Sequence, residues 1–189
     1  MVEVRSIRES DLAAFRRLHN RYVDRNESLD TVREWYAESP EFLLGAYDGE
    51  ALVGHALGRP RSAESLELAG ISVEASHRRQ GIGSRLLAAV EDRAAAHGFE
   101  RVSLGSAGGY VDEFYAANGY RPESVLVRLD TDSAVPATVH EVVEVRTVDG
   151  TRKLYVAPGN GGPDHLDAVR GAFDDPEAIY LMAKDLDGP

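Results

Sequence analysis

The 189-residue sequence contains no cysteine. Disulfides, thiolate zinc sites and a cysteine nucleophile are therefore excluded, and the chain reads as cytoplasmic. Lysine is nearly absent as well: Lys153 and Lys184 stand against 19 arginines. No apolar run approaches the roughly 18 residues that a helix needs to cross a bilayer. The start, Met1-Val2-Glu3-Val4-Arg5, has no apolar stretch behind a basic segment, so no secretory leader is expected. Net positive charge is missing too. The formal net charge is -11, which repels nucleic acid and anionic membranes and removes both as expected partners. High acidity with so little lysine points to a salt-loving source, although GC-rich coding produces the same skew.

Hydrophobic residues make up 43% of the chain, enough for a globular core. The length suits one domain, or one domain with an appendage. Val2, Val4 and Ile7 suggest a short first strand. Ser10 or Asp11 is then expected to cap a helix carrying Leu12, Phe15, Leu18, His19 and Tyr22 at spacings of three and four. A second short helix is expected from about Thr31 to Glu38, ending before Pro40. Asp48-Gly49 between two apolar runs signals a hairpin. Gly58 to Glu64 reads as a polar loop, and Leu66 to Val73 as a strand. In that strand Leu66, Leu68 and Gly70 share one face, while Glu67, Ala69, Ile71 and Val73 share the other.

Leu86, Leu87, Val90 and Ala94 form a helical stripe closed by His97-Gly98. Arg101 to Leu104 is a strand, Val111 to Asn118 a helix, and Val125 to Leu129 a strand. This alternation over the first 130 residues argues for an α/β layer architecture. Composition shifts at Asp130 to Pro136, which reads as a linker, so residues 1–130 are expected to form the main domain and 131–189 an extension. The extension should hold a hairpin around Asp149-Gly150 with one apolar face to bury, then a helix from Asp164 to Phe173 and a strand from Ile179 to Ala183.

The chemistry is concentrated where the strand ending at Val73 runs into Arg78-Arg79-Gln80-Gly81-Ile82-Gly83-Ser84 and then a helix. Free N–H groups at a helix N-terminus carry partial positive charge and bind phosphate oxygens. Gly81 and Gly83 have no Cβ, so a pyrophosphate can approach the backbone closely. Arg78, Arg79 and Arg85 form a basic cluster in an acidic chain. The P-loop requires a Gly-Lys-Ser/Thr step, and the dinucleotide fingerprint requires three glycines; neither is present.

The pattern Arg78-x-x-Gly81-x-Gly83, preceded by Ile71-Ser72-Val73, resembles the signature of the GNAT superfamily of N-acetyltransferases. A second match is Phe114-Tyr115-Ala116-Ala117-Asn118-Gly119-Tyr120. The resemblance covers about residues 1 to 130. It implies an α+β fold: a central, mixed, largely antiparallel twisted sheet with a splayed strand pair, flanked by helices, here with an extra C-terminal β-α-β extension. It also implies that the backbone of Ile71, Ser72 and Val73 binds the pantetheine arm of acetyl-CoA. The pyrophosphate would lie on the amides from Arg79 to Ser84, including Gln80, Gly81, Ile82 and Gly83, with Arg78 and Arg79 beside it. Asn118 would touch the pantetheine or the adenosine side. No metal is implied.

An ammonium has no lone pair, so a general base must free the attacking amine. The resemblance puts Glu67 in that role, with Glu74, His55 and His77 as alternatives. It makes Tyr115 the acid that protonates the leaving thiolate, and the Ile71 amide the holder of the oxyanion. Tyr22, Trp35, Tyr36 and Tyr110 are candidates for the wall of the acceptor site. The expected acceptor is a small-molecule or peptide amine, transferred to directly in a ternary complex. Two other readings remain open: a catalytically silent acyl-CoA-binding module, and a phosphate-ligand protein unrelated to CoA. The extension is expected to pack on the main domain or to form a homodimer interface.

Overall fold

A computed structural model describes residues 1–23, 26–106, 110–130, 133, 135–136, 139, 141–173 and 176–186. Of the expected linker from Asp130 to Pro136, residues 131, 132 and 134 lie outside the described ones. Contacts divide the chain into two compact units, Met1–Val102 with Asp185–Pro189, and Ser103–Lys184.

The first unit holds an antiparallel ladder of β1 (Glu3–Ser6), β2 (Leu43–Asp48), β3 (Ala51–Pro60) and β4 (Ser65–Val73), in that order. The β2–β3 hairpin turns at Gly49-Glu50, where Gly49 takes a positive φ of 60°. β3 extends to Pro60, three residues into the expected polar loop, because Gly58, Arg59 and Pro60 pair with Leu68, Glu67 and Leu66. Proline is tolerated there because the pairing of β3 with β2 ends at Leu57, which leaves an edge on the other side of Pro60.

Helix α1 (Leu12–Tyr22) buries Leu12, Phe15, Leu18 and His19. The expected cap at Ser10 or Asp11 is not made. A 3-10 turn, Glu9–Asp11, leads into the helix, and Asp11 already has helical dihedrals, so its carboxylate cannot reach back to the first-turn amides. It accepts instead from Tyr47 Oη at 2.8 Å and Arg8 Nε at 3.0 Å. Burial raises the Asp11 carboxyl, but these bonds outweigh it and hold it below its ordinary value. Burial, and next the bond to Asp11, push the Tyr47 hydroxyl up to about 12. Helix α2 (Leu29–Glu38) starts two residues earlier than the periodicity suggests, because Ser28 Oγ accepts from the Thr31 amide. Ile7, Leu12, Phe15, Val32, Trp35, Leu43 and Leu57 form one core cluster. Helix α3 (Ile82–Ala96) buries Ile82, Leu86, Leu87, Val90 and Ala94, and strand β5 (Arg101–Ser106) follows it.

The second unit contains helix α4 (Tyr110–Ala117), strand β6 (Arg121–Asp130), the hairpin of β7 (Val142–Val148) and β8 (Thr151–Val156), helix α5 (Pro163–Gly171) and strand β9 (Glu177–Asp185). β6 lies between β9 and β8, antiparallel to both, and β7 adds to the far side of β8. Val125, Leu126 and Val127 are buried in succession, as expected of a strand covered on both faces. The hairpin's expected apolar face is buried only in part. Leu154 and Val156 of β8 are buried, whereas Val142, Val143, Val145 and Val148 of β7 are exposed, because β8 has a strand on each side and β7 ends the ladder. No helix among the described residues is long and apolar enough to cross a membrane.

In the first unit α1 packs closely over Gly70. A Cβ there would meet the His19 ring at 2.9 Å and Val23 at 3.2 Å. That ring is already fixed against Phe15, Trp35 and His55. Gly70→Ala should therefore lose about 1–3 kcal/mol of stability by overpacking, read as a lower denaturant midpoint at unchanged slope; an unchanged midpoint would mean that His19 moves freely.

Candidate active site

β4 separates two environments by simple alternation: Leu66, Leu68, Gly70 and Ser72 are buried, and Ser65, Glu67, Ala69, Ile71 and Val73 are partly exposed. The β3–β4 register shifts between Leu57 and Gly58, whose partners are Gly70 and Leu68. Ala69 is thus an extra residue on β4, a bulge that bends the strand just before Ile71. Glu67 is half-buried, and the Arg61 guanidinium closes onto its Oε2.

β4 ends where the Glu74 amide donates to the Val53 carbonyl at 2.8 Å. A 3-10 turn, Ala75–His77, follows. Arg78 Nε donates to the Val73 carbonyl at 3.0 Å, and its guanidinium lies 5.1 Å from the Tyr22 ring centre. Arg79 and Gly81 both adopt left-handed backbone, with φ of 60° and 73°. Gly81 stands directly before α3, and no side chain caps that helix. The first-turn N–H groups of α3 are therefore left to water or a ligand. Open space surrounds the Cβ direction at Gly81, and Arg78, Arg79, Gln80 and Gly81 are exposed. Arg85 does not join this cluster, since its Nη1 donates to the Val2 carbonyl at 2.9 Å. The partly buried Ser84 and Gly83 follow the buried Ile82 in the first turn of α3.

The alternative bases are engaged elsewhere. Glu74 accepts from Tyr22 Oη at 2.8 Å and pairs with Arg21. His77 bonds Ser76 and sits 3.6 Å from an Asp48 oxygen. Trp35 is a core residue, with Arg59 stacked over it, and Tyr36 packs against the same cluster. The side chain of Tyr110 lies outside the described residues.

In the second unit Tyr115 is buried on α4, with ring neighbours Phe114 and Tyr120. Its carbonyl accepts from the Asn118 and Tyr120 amides, and Gly119, with φ of 92°, turns the chain out of the helix. Asn118 Nδ2 donates to the Phe114 carbonyl at 2.7 Å, so this side chain closes its own helix and leaves Oδ1 for other partners.

One arrangement has no counterpart in the sequence reading. His19 Nδ1 and His55 Nε2 are 3.1 Å apart, and His55 Nδ1 is 2.7 Å from Ser72 Oγ. All three side chains are buried. The only sequence signal is a histidine inside the apolar stripe of α1; its partners stand 36 and 53 positions away. Burial, and then the neighbouring His19 imidazole, hold His55 well below its ordinary value, so it is neutral at pH 7. The neutral chain has two proton orders, one in which Ser72 donates to His55 and one in which it accepts.

Among the described residues no group of three His, Cys, Asp or Glu side chains could hold a metal ion. A strand running through a left-handed glycine into an uncapped, arginine-flanked helix gives this α/β protein a loop whose free amides can accept an anion. The chain belongs to the Acetyltransferase (GNAT) family, whose sequence model matches residues 4–120. Among solved structures it is similar to Ard1 from Thermoplasma volcanium, at 14% identity and a TM-score of 0.66, covering 98% of this chain and 97% of that one. It is similar to Naa50 from Arabidopsis thaliana in complex with the bisubstrate analogue CoA-Ac-MVNAL, at 16% identity and 0.61, covering 98% and 99%. It is also similar to yncA from Salmonella typhimurium with its cofactor acetyl-CoA, at 15% identity and 0.63, covering 100% and 96%. At these identities the likeness shows the fold alone. No curated protein matches.

His55 generates a pH dependence. Its folded value lies below its unfolded value of 6.5, so its contribution to stability is complete above pH 6.5 and is lost as pH falls from there toward the folded value. Over that window the wild type should lose up to about 1.4 kcal/mol per pH unit more than His55→Gln. Denaturant titrations from pH 7.5 to 5 measure this, and parallel slopes for the two proteins would contradict a buried neutral His55.

Proposed function

We propose that the chain transfers an acetyl group from acetyl-CoA to a primary amine by direct attack in a ternary complex. The observation that carries this reading is the uncapped N-terminus of α3, entered through Gly81 and flanked by Arg78 and Arg79. Membership of an acetyltransferase family and the CoA-type ligands of two structures of the same fold support acetyl-CoA as the donor. The amides of residues 79–84 bind the pyrophosphate, with Arg78 and Arg79 neutralising it. The backbone of Ile71, Ser72 and Val73 binds the pantetheine arm, just past the bulge at Ala69.

Glu67 takes a proton from the substrate ammonium, directly or through water, once Arg61 yields its carboxylate. The amine nitrogen bonds the thioester carbon, and the Ile71 amide holds the resulting oxyanion. Collapse breaks the carbon–sulfur bond, Tyr115 gives its proton to the leaving thiolate, and the second proton shed by the acylated nitrogen returns to Tyr115. Asn118 contacts the pantetheine or the adenosine side of the donor in this reading. The acceptor is a small amine or a peptide amine, with residues 1–130 as the catalytic domain, 131–189 as an extension, and the cytoplasm as the compartment. The Arg61 pairing on Glu67 favours a second reading, an acyl-CoA-binding module without turnover, in which that carboxylate stays ion-paired.

A thermal-unfolding scan in molar KCl tests the donor. Acetyl-CoA at about 100 times its dissociation constant should add about 2.7 kcal/mol. Gly81→Glu should abolish the gain, because the left-handed φ disfavours a side chain and the carboxylate repels the pyrophosphate. No shift with the wild type would remove the donor assignment. Turnover against an amine panel separates the two readings. Glu67→Gln and Tyr115→Phe should each slow transfer about 10²–10⁴-fold while keeping the acetyl-CoA shift. Wild-type rates in both variants would discard these roles, and binding without transfer to any amine would favour the silent module.

A further inference from the structure

The outer strand of the second unit carries an unusual combination. β7 ends the ladder β9-β6-β8-β7, and all seven of its residues are exposed. Four are valines: Val142, Val143, Val145 and Val148. Exposed edge strands are ordinarily blunted by lysine, proline, an inward-pointing charge or a bulge, and the one bulge of β7 lies at its start, between Val142 and Glu144. β7 has neither lysine nor proline, and its two charged residues, Glu144 and Arg146, pair with each other at 2.9 Å between Arg146 Nη2 and Glu144 Oε2.

The backbone identifies which groups the edge offers. Val148 and Thr151 close a two-residue turn, Asp149-Gly150, with φ of 50° and 74°. A closing pair of this kind exchanges hydrogen bonds across the hairpin. By alternation Arg146 also faces β8, while the N–H and C=O groups of Val145 and Thr147 point away from it, toward the open edge. The register with β8 is regular over this stretch and shifts only between Val142 and Glu144.

We propose that β7 pairs antiparallel with β7 of a second copy of this chain about a two-fold axis at Val145, joining two ladders into one. The sequence Val142-Val143-Glu144-Val145-Arg146-Thr147-Val148 is complementary to itself only about this centre. Val145 faces its own copy with both outward backbone groups, and Thr147 faces Val143. Glu144 falls opposite Arg146 of the second copy, and Arg146 opposite its Glu144, in the close non-hydrogen-bonded positions, where Cβ atoms approach to about 4.5–5.5 Å. Centring on Glu144 or Arg146 would oppose like charges and turn the wrong backbone groups outward. Centring on Val143 or Thr147 leaves both charges without an opposite charge across the pair. Val142 meets Val148, so apolar surface that one chain leaves in water is covered at both ends of the ladder.

Sedimentation equilibrium of the full chain, from micromolar to hundreds of micromolar, tests the pairing. The wild type should form a concentration-dependent dimer. Glu144→Arg and Arg146→Glu alone each oppose like charges twice and should weaken association about tenfold or more, whereas the double exchange should restore it. Val145→Pro removes an outward N–H without touching the hairpin's own bonds and should leave a folded monomer, checked by circular dichroism and by a cooperative thermal transition. A wild type that stays monomeric throughout overturns the proposal. So does a dimer that Val145→Pro leaves intact, or one that the double exchange fails to restore. None of these readouts depends on transfer activity, so failure here is separable from failure of the acetyltransferase reading.

Discussion

Much in the first unit depends on how closely β4 lies against α1. Gly70 gives the His19 ring its seat, and a single methyl group there would force one of them to move. With α1 held that close, His19 reaches His55 and His55 reaches Ser72, so the buried face of β4 is tied at consecutive inward positions. Alternation then leaves Glu67, Ile71 and Val73 on the opposite face. A strand anchored on one side by packing and polar bonds can present its other side without collapsing onto it.

The glycine loop uses a different constraint. Gly81 takes a left-handed conformation that a side chain would resist, and this lets the chain enter α3 with no capping group across the helix axis. The partial positive charge of the first turn remains available for an anion. In a chain with a net charge of -11 such a place is uncommon, and Arg78 and Arg79 make it locally favourable. Arg78 is held by the Val73 carbonyl, which couples the end of β4 to the loop in one hydrogen bond.

Many of these features are legible in the amino-acid sequence. The stripes of α1 and α3, the Asp48-Gly49 hairpin, the alternation of β4 and the Gly81 entry to α3 depend on neighbours in sequence, where periodicity and turn chemistry act directly. The expectations that fail also rest on local rules, overruled by distant partners. Asp11 has the right chemistry for a cap, but Tyr47 and Arg8 claim its carboxylate. Residues 58–60 look like a loop until residues 66–68 pair with them. The β7–β8 hairpin is expected to bury one apolar face, and only β8, flanked on both sides, does so.

The sequence by itself determined the order of elements, the glycine turn into α3 and the family, because each is written within a short span whose chemistry does not wait for the rest of the chain. Tertiary structure alone decided which side of β4 is closed, that His19, His55 and Ser72 form one buried chain, and that Glu67 is held by Arg61. Most of these contacts join residues far apart in sequence. Burial is a property of what lies overhead, and no local pattern states what that will be.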